Sequence, residues 1–296
     1  MTKRLAHDAK WGPLQSYCYG DHGDGSTPAE LLFFHGNGFS AHTYNTLLSQ
    51  VAQTASVRAF DLQGHGASDD IPSVLAINNW QIYRDNVAFA LQKNGGGILM
   101  GHSMGALSAM FTAMKHPEQV RALILLEPVF LPPQFVLLTG IIRMLGLQNR
   151  TSGLIRQARS RRQYFSDTEE AAAYFLGRKG LKTWPEEAIR NYAESILRPR
   201  RDRQPGLELS LLPDYEAENF ASGPAGLWRG RPLSAPVLLA YGGHSSSTVY
   251  QGRVDWFRKL ASRVEVQIKP DAGHMMPVDA PDWTAGVVQD FLNRLD

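Results

Sequence analysis

The pentapeptide Gly101-His102-Ser103-Met104-Gly105 lies between an apolar run, Gly97–Met100, and a segment of helical spacing, Met104–Lys115. A serine flanked in this way on a sharp strand-to-helix turn is the Gly-x-Ser-x-Gly arrangement of a nucleophile. The turn forces the serine into a strained backbone conformation, and neighbouring chain comes too close for side chains at 101 and 105. The hydroxyl then stands above the end of a sheet, and the Met104 N–H, at the start of a helix, is available to developing negative charge. A packing turn with flanking glycines is the plainer alternative, and the strand and helix on either side weigh against it. A second glycine-rich turn, His35-Gly36-Asn37-Gly38-Phe39, follows the apolar run Leu31–Phe34 and can aim another backbone N–H at the same space. Asn37 is the first choice for that donor and Gly38 the second, and each donor of such a pair is typically worth ~3 kcal/mol in the transition state. Ser103 also needs a base. The chain has nine histidines, so position decides among them. His274, in Ala272-Gly273-His274-Met275-Met276-Pro277, sits late in the chain in a Gly-flanked loop after the last strand, where a base for Ser103 belongs. His65, in Asp61-Leu62-Gln63-Gly64-His65-Gly66-Ala67-Ser68, reads instead as a hydrogen-bonded fixture of a tight loop.

These residues require a scaffold that brings distant loops to one edge. Short apolar runs at Leu31–Phe34, Val57–Phe60, Ile98–Met100 and Ala122–Leu126 alternate with helical patterns at Trp80–Gln92 and Met104–Lys115. Runs apolar on both faces and separated by helices are what a parallel sheet covered on both sides demands. From Leu131 to Pro232 the pattern offers helices and no strand. One helix is expected over Phe135–Leu147. A capping box at Ser166-Asp167-Thr168-Glu169 opens a second that Gly177 closes, and Pro185 opens a third running to about Leu197. After Pro232 the rhythm returns, with strands at Pro236–Tyr241 and Val264–Ile268, a helix from about Tyr250 to Ser262 and a last helix after Pro281. The expectation is a mostly parallel, doubly wound α/β core over 1–130 and 233–296, with a helical cap over 131–232 inserted after the sixth strand.

The four motifs, in this order, resemble the α/β-hydrolase family, in particular its cap-bearing serine hydrolases, from about Ala29 to Asp296. The resemblance implies Ser103 as nucleophile, His274 as base, and the backbone N–H groups of Asn37 and Met104 as the oxyanion hole. Such members usually carry their acid in a Gly-x-x-Asp turn after the seventh strand, but here that turn reads Gly242-Gly243-His244-Ser245, followed by Ser246 and Ser247. Some members place the acid at the end of the sixth strand, where this chain has Glu127 in Leu125-Leu126-Glu127-Pro128. The order Ser103, Glu127, His274 keeps the order serine, acid, histidine. A carboxylate at the end of a buried strand also needs a partner, which His274 would supply. Capping the next turn, or pairing with a cap arginine, is the alternative; Asp255 and Asp271 are weaker candidates. The implied reaction is acyl transfer from a carboxylic ester through an acyl-enzyme, with no metal or organic cofactor. The serine argues against the dehalogenase and epoxide-hydrolase members, which use aspartate there. Phe39, His102, Phe130 and Phe135 are the expected substrate contacts, and a small to medium lipophilic ester is the expected partner. A carbon–carbon bond hydrolase of an anionic diketone, or a binding protein with a degraded triad, are the alternatives.

Composition sets the outer bounds. With 43% hydrophobic and 20% charged residues the chain can bury a large core. A net charge of +2 and a pI near 8.6 without a concentrated basic tail argue against nucleic-acid binding. The 131–232 segment holds 16 Lys/Arg and 11 Asp/Glu, so it carries +5 against −3 for the remainder. Its clusters, Arg156, Arg159, Arg161, Arg162 and Arg198, Arg200, Arg201, Arg203, read either as a solvated surface or as a face for an anionic group or acidic lipid. One cysteine, Cys18, excludes an internal disulfide, and no Cys/His cluster has zinc-ligand spacing. Lys3 and Arg4 lead into no apolar run, so no signal peptide is expected, and Phe135–Leu147, interrupted by Arg143, is too short to span a bilayer. A cytoplasmic protein without stable membrane insertion is the expectation.

Overall fold

A computed structural model describes residues 3–20, 27–129, 141–142, 144–145, 152–223, 232–245 and 251–295. Six strands come first: β1 (Lys3–Ala9), β2 (Gly12–Tyr19), β3 (Leu31–Phe34), β4 (Val57–Asp61), β5 (Gly97–His102) and β6 (Val120–Leu126). A long excursion follows, containing the short strands β7 (Tyr164–Phe165), β8 (Leu197–Pro199) and β9 (Leu207–Leu209). Then β10 (Val237–Gly242) and β11 (Val264–Lys269) complete an eight-stranded sheet of order β1-β2-β4-β3-β5-β6-β10-β11. The pairs from β4 to β11 are parallel, and β1–β2 and β2–β4 are antiparallel.

Side chains alternate across this sheet, and each set meets its own helices. Leu31, Phe33, Val57, Ala59, Ile98, Met100 and Ile124 pack with α1 (Asn45–Val51) and with a C-terminal helix over Pro281–Leu292. Leu32, Phe34, Leu99, Leu123 and Leu125 face the other way. They meet α3 (Gln81–Asn94) and α4 (Met104–Lys115), with the four-residue α2 (Val74–Ile77) beside them. The core strands expected from the apolar runs are all present: β3 has the expected bounds, β10 is shifted by one residue, and the others extend by one to three residues.

Two features differ from the sequence reading. The antiparallel β1–β2 hairpin was not among the expected strands; β1 (KRLAHDA) is an edge strand without an apolar run. The excursion also contains a three-stranded antiparallel sheet, β7-β9-β8, where only helices were expected. Strands of two or three residues are too short to print a period of two, and their pairing joins distant segments. Around this small sheet lie α5 (Gly153–Arg159), α6 (Thr168–Leu176), α7 (Glu186–Ser195) and α8 (Pro213–Ala221). Asp167 caps α6, accepting the Glu170 N–H at 2.8 Å, and Gly177 ends it. The helix expected over Phe135–Leu147 falls almost wholly outside the described residues. After the excursion come α9 (Gln251–Leu260), α10 (Met276–Asp279) and α11 (Pro281–Leu292). Among the described residues no helix is long and apolar enough to cross a membrane.

The inserted segment sits on the loops at the carboxyl ends of the parallel strands. Its Phe165, Phe175, Trp184, Tyr192 and Leu209 join the same buried cluster as Tyr44. Ser40 donates to Ser195 Oγ at 2.6 Å, and Trp80 and Tyr83 donate to the Asn219 carbonyl and side chain at 2.9 and 2.8 Å. Parallel α/β sheets hold their ligands at this carboxyl edge.

Candidate functional site

Ser103 follows β5 with φ 53° and ψ −112°, outside the regions a serine ordinarily occupies. The flanking glycines explain how the turn is held. A Cβ on Gly101 would lie 2.5 Å from the Ala106 nitrogen, and one on Gly105 would lie 2.2 Å from the Phe34 carbonyl oxygen. The elbow is thus pressed onto the end of β3, and only hydrogen atoms fit in the gap.

Three loops converge on this hydroxyl. Ser103 Oγ lies 3.1 Å from His274 Nε2, and His274 Nδ1 lies 3.1 Å from Glu127 Oε2. A carboxylate only accepts, so Nδ1–H donates to Glu127, which leaves Nε2 to receive the serine proton. Glu127 is fully buried and, like Ser103, has a positive φ (49°), with Pro128 behind it. Its other partners come from the turn after β10. The Gly242 N–H donates to Oε1, and the Ser245 hydroxyl donates to Oε2 at 2.8 Å. The turn that lacks a carboxylate therefore supplies donors to a carboxylate from the neighbouring strand. That turn is also stitched to the histidine loop: His244 N–H donates to Ala272 O at 3.0 Å, and a Cβ on Gly242 would meet that oxygen at 2.3 Å. The rival acids have partners of their own: Asp271 accepts from Lys269 at 2.8 Å and Asp255 lies 3.6 Å from Arg258.

The His35–Phe39 turn lies against the nucleophile, since a Cβ on Gly36 would sit 3.4 Å from the Ser103 Cβ. The Asn37 side chain is fixed from above: it donates to the Glu216 carbonyl at 3.3 Å and accepts from Asn219 Nδ2 at 2.7 Å. Met104 opens α4, where its N–H has no acceptor within the helix. Gly38, the second choice for the oxyanion donor, is ruled out because its N–H donates to His65 Nε2 at 3.2 Å. His65 in turn donates from Nδ1 to Gln63 O at 3.0 Å, and burial pushes its pKa down to about 4. It is the neutral loop fixture that the sequence suggested.

His102 is corrected as well. It was expected to touch substrate, but it is fully buried with both ring nitrogens engaged. Nδ1 lies 2.7 Å from the Tyr44 hydroxyl, and Nε2 lies 2.9 Å from the His274 carbonyl. Burial holds its pKa well below the ordinary histidine value, so the ring is neutral. Phe39 is half-buried among Trp184, Tyr192 and Tyr44, at ring separations of 5.9, 5.5 and 6.3 Å. Phe130 and Phe135 lie outside the described residues.

Above the turn the insertion places Arg161 and Glu216 as a largely buried ion pair, with Arg161 also donating to the Tyr192 hydroxyl at 2.8 Å. The pair reaches the Asn37 turn, because a Cβ on Gly38 would lie 3.2 Å from Arg161 Nη1. Arg161, Glu216, Tyr192, Tyr174, Arg178 and Phe220 help line a cavity of about 330 Å³. Five more arginines of the two clusters, Arg159, Arg162, Arg198, Arg200 and Arg201, each have a carboxylate partner. Tyr44, Ser245 and the Arg161–Glu216 pair were missed by sequence reasoning, and no local pattern marks them.

A family model described as the α/β-hydrolase family matches residues 31–287. The 2-(acetamidomethylene)succinate hydrolase of Mesorhizobium japonicum is 27% identical over 271 residues, spanning 91% of this chain and 89% of that protein. Esterase Rv0045c of Mycobacterium tuberculosis is 25% identical over 279 residues, spanning 91% and 84%. Among solved structures, E-2-(acetamidomethylene)succinate hydrolase superposes with a TM-score of 0.73 at 24% identity, covering 99% of this chain and 100% of that one. The thioesterase domain from the curacin biosynthetic pathway superposes at 0.71 with 19% identity, covering 97% and 99%.

Proposed function

We propose that this chain, which belongs to the α/β-hydrolase family, is a serine hydrolase that cleaves a carboxylic ester through an acyl-enzyme on Ser103. The observation that carries this reading is the unbroken chain from Ser103 Oγ through His274 to Glu127, each link 3.1 Å. The serine oxygen attacks the ester carbonyl as its proton passes to His274 Nε2. The carbonyl electron pair moves onto oxygen, facing the N–H groups of Asn37 and Met104. Collapse breaks the carbon–alkoxy bond, and the alkoxide takes the proton from His274. Water then repeats the sequence: its proton goes to His274, the acyl–Oγ bond breaks, the proton returns to Ser103, and a carboxylic acid leaves. Glu127 holds the imidazole tautomer and stabilises the imidazolium while it exists. The 131–232 insertion acts as the cap. The aromatic group of Phe39, Trp184 and Tyr192 suits a small to medium lipophilic acyl or alcohol portion, and relatives named esterase and hydrolase fit this class.

One observation favours a second reading, in which the substrate is anionic and a carbon–carbon bond is cleaved. Arg161 spends only two of the five N–H groups of a guanidinium on Glu216 and Tyr192, and it faces the cap cavity together with Arg178. A relative named for a succinate derivative supports the anionic part of this reading.

The test is covalent labelling by a fluorophosphonate, read by intact mass, for wild type and Ser103→Ala. Labelling of wild type that disappears in the variant is the expected result. Folded wild type that neither labels nor hydrolyses p-nitrophenyl butyrate would overturn the proposal. Comparing that neutral ester with the methyl monoester of succinate and with a diketone acid then separates the two readings.

A further inference from the structure

His102 occupies the position before the proposed nucleophile, yet it touches neither that hydroxyl nor the space above it. Its ring is sealed in, and its two nitrogens bond to groups from different parts of the chain. The His274 carbonyl can only accept, so Nε2 carries the ring proton and donates across 2.9 Å. Nδ1 is therefore an acceptor, and the Tyr44 hydroxyl donates to it at 2.7 Å. That hydroxyl in turn accepts the Gly36 N–H at 3.3 Å. A single line of hydrogen bonds thus runs from the turn carrying Asn37, through Tyr44 and His102, to the backbone of the histidine opposite.

We propose that His102, fixed by Tyr44, is a positioning residue that sets where the His274 ring stands between Ser103 and Glu127. This inference rests on the reading of Ser103 and His274 as nucleophile and base. Backbone bonds hold the loop on either side, Ala272 O to His244 and Gly273 O to Met276, whereas the His102 bond grips the carbonyl of His274 itself. Gly273 has nothing within 4 Å of where a Cβ would be, and the His274 side chain is 30% exposed. Both working contacts of His274 are already 3.1 Å long, so a small rotation of its backbone would lengthen one or both. Losses of geometry on that scale cost up to ~100-fold in rate without touching the reacting groups. The neutral state of His102 suits the task, because a buried ring with one donor and one acceptor satisfies both partners without placing a second positive charge beside the imidazolium. His102 acts through the His274 main chain and through its own ring, which packs 5.0 Å from the His274 ring, whereas Glu127 holds the Nδ1 atom.

Three variants test the tether, with kcat and KM measured on p-nitrophenyl butyrate, the fluorophosphonate labelling rate, and the melting temperature. His102→Leu removes both bonds and is expected to lower kcat and labelling roughly 10- to 100-fold, with KM within about twofold. His102→Gln restores an N–H donor for the carbonyl and should recover kcat to within roughly threefold of wild type, at a melting temperature similar to that of the leucine variant. Tyr44→Phe removes one hydroxyl and should lower kcat several-fold with KM unchanged. A leucine variant with wild-type kcat, or a glutamine variant as slow as the leucine one, overturns the proposal. If His102→Leu does not fold, an unchanged kcat in Tyr44→Phe does the same. Failure of the underlying reading looks different: folded wild type would then neither label nor hydrolyse the ester, or labelling would survive Ser103→Ala.

Discussion

The floor and the roof of the proposed site are held by different forces. On the floor, Ser103, Glu127 and His274 extend from the ends of three parallel strands, and backbone geometry fixes them. Two of the three have positive φ, and the glycines flanking Ser103 leave no room for a Cβ. The histidines around them, His35, His65 and His102, are buried and neutral. The roof shares an apolar cluster with the core through Phe165, Phe175, Trp184 and Tyr192, and is pinned besides by charge. Arg161 pairs with Glu216, Arg162 with Glu170, and Arg198 and Arg201 reach down to Asp70 on the core. Sterically locked backbone has essentially one arrangement, whereas ion pairs on long side chains can re-form in several. The floor is built for fixed distances, and the roof for a fit that can change.

The largest expected effect lies on the floor. Glu127→Gln keeps the shape and removes the charge that selects the His274 tautomer. The comparable change in a serine protease lowers kcat about 10⁴-fold, and a loss of roughly 10³ to 10⁴ is expected here, with KM nearly unchanged, in steady-state ester hydrolysis. A loss below tenfold would mean that Gly242 and Ser245 hold a structural carboxylate and that His274 works without it.

This floor was also the part most legible in the sequence. Ser103, His274 and the Asn37 turn each carry a local signature, because a nucleophile elbow and a tight turn impose steric demands on their immediate neighbours. Glu127 was found through a missing residue, the carboxylate absent from Gly242-Gly243-His244-Ser245. What the sequence did not show is which distant donor meets which acceptor. The Gly38 amide looked free for the site and is taken by His65. His102 looked like a substrate contact and is spent between Tyr44 and His274. The roof was less legible still. Its three strands have no room for a period, and bonds such as Asn37 to Asn219 join residues 182 positions apart.

Acid should attack the floor through those same histidines. His65 has a folded pKa near 4 against 6.5 for the free side chain, so between these values the unfolded chain binds a proton that the folded protein refuses. The stability is fully present above about pH 6.5 and is lost as pH falls towards 4, by up to about 3 kcal/mol for this one group. His35 and His102 shift in the same direction, while the buried Asp61, whose carboxyl is pushed up, offsets part of the loss. Urea midpoints measured at pH 7 and pH 5 should show a clear drop for wild type and a smaller one for His65→Gln. Equal midpoints at the two pH values would contradict this account of the floor.

Salt, by contrast, should reach the roof first, and Asp70→Asn is the smallest and most selective probe of it. Asp70 accepts from Arg198 and from Arg201 Nη2 and Nε, the latter two at 2.6 and 3.1 Å, which makes it the core's hold on the β8–β9 hairpin. Its side chain is 53% exposed, so solvent screening limits the contribution to about 1 kcal/mol or less. In a protein of this size that is a shift in melting temperature of roughly 2 °C. Arg201 retains its bond to the buried Glu208, so the hairpin stays folded while its grip on the core loosens. The expected kinetic signature is a raised KM with kcat within twofold. Wild type should move the same way in about 1 M salt, where screening acts over ~3 Å, and the variant should respond less. A fall in kcat at constant KM would show that the roof also positions the reacting groups, and the separation of the two regions would then fail at Asp70, where they are joined by charge.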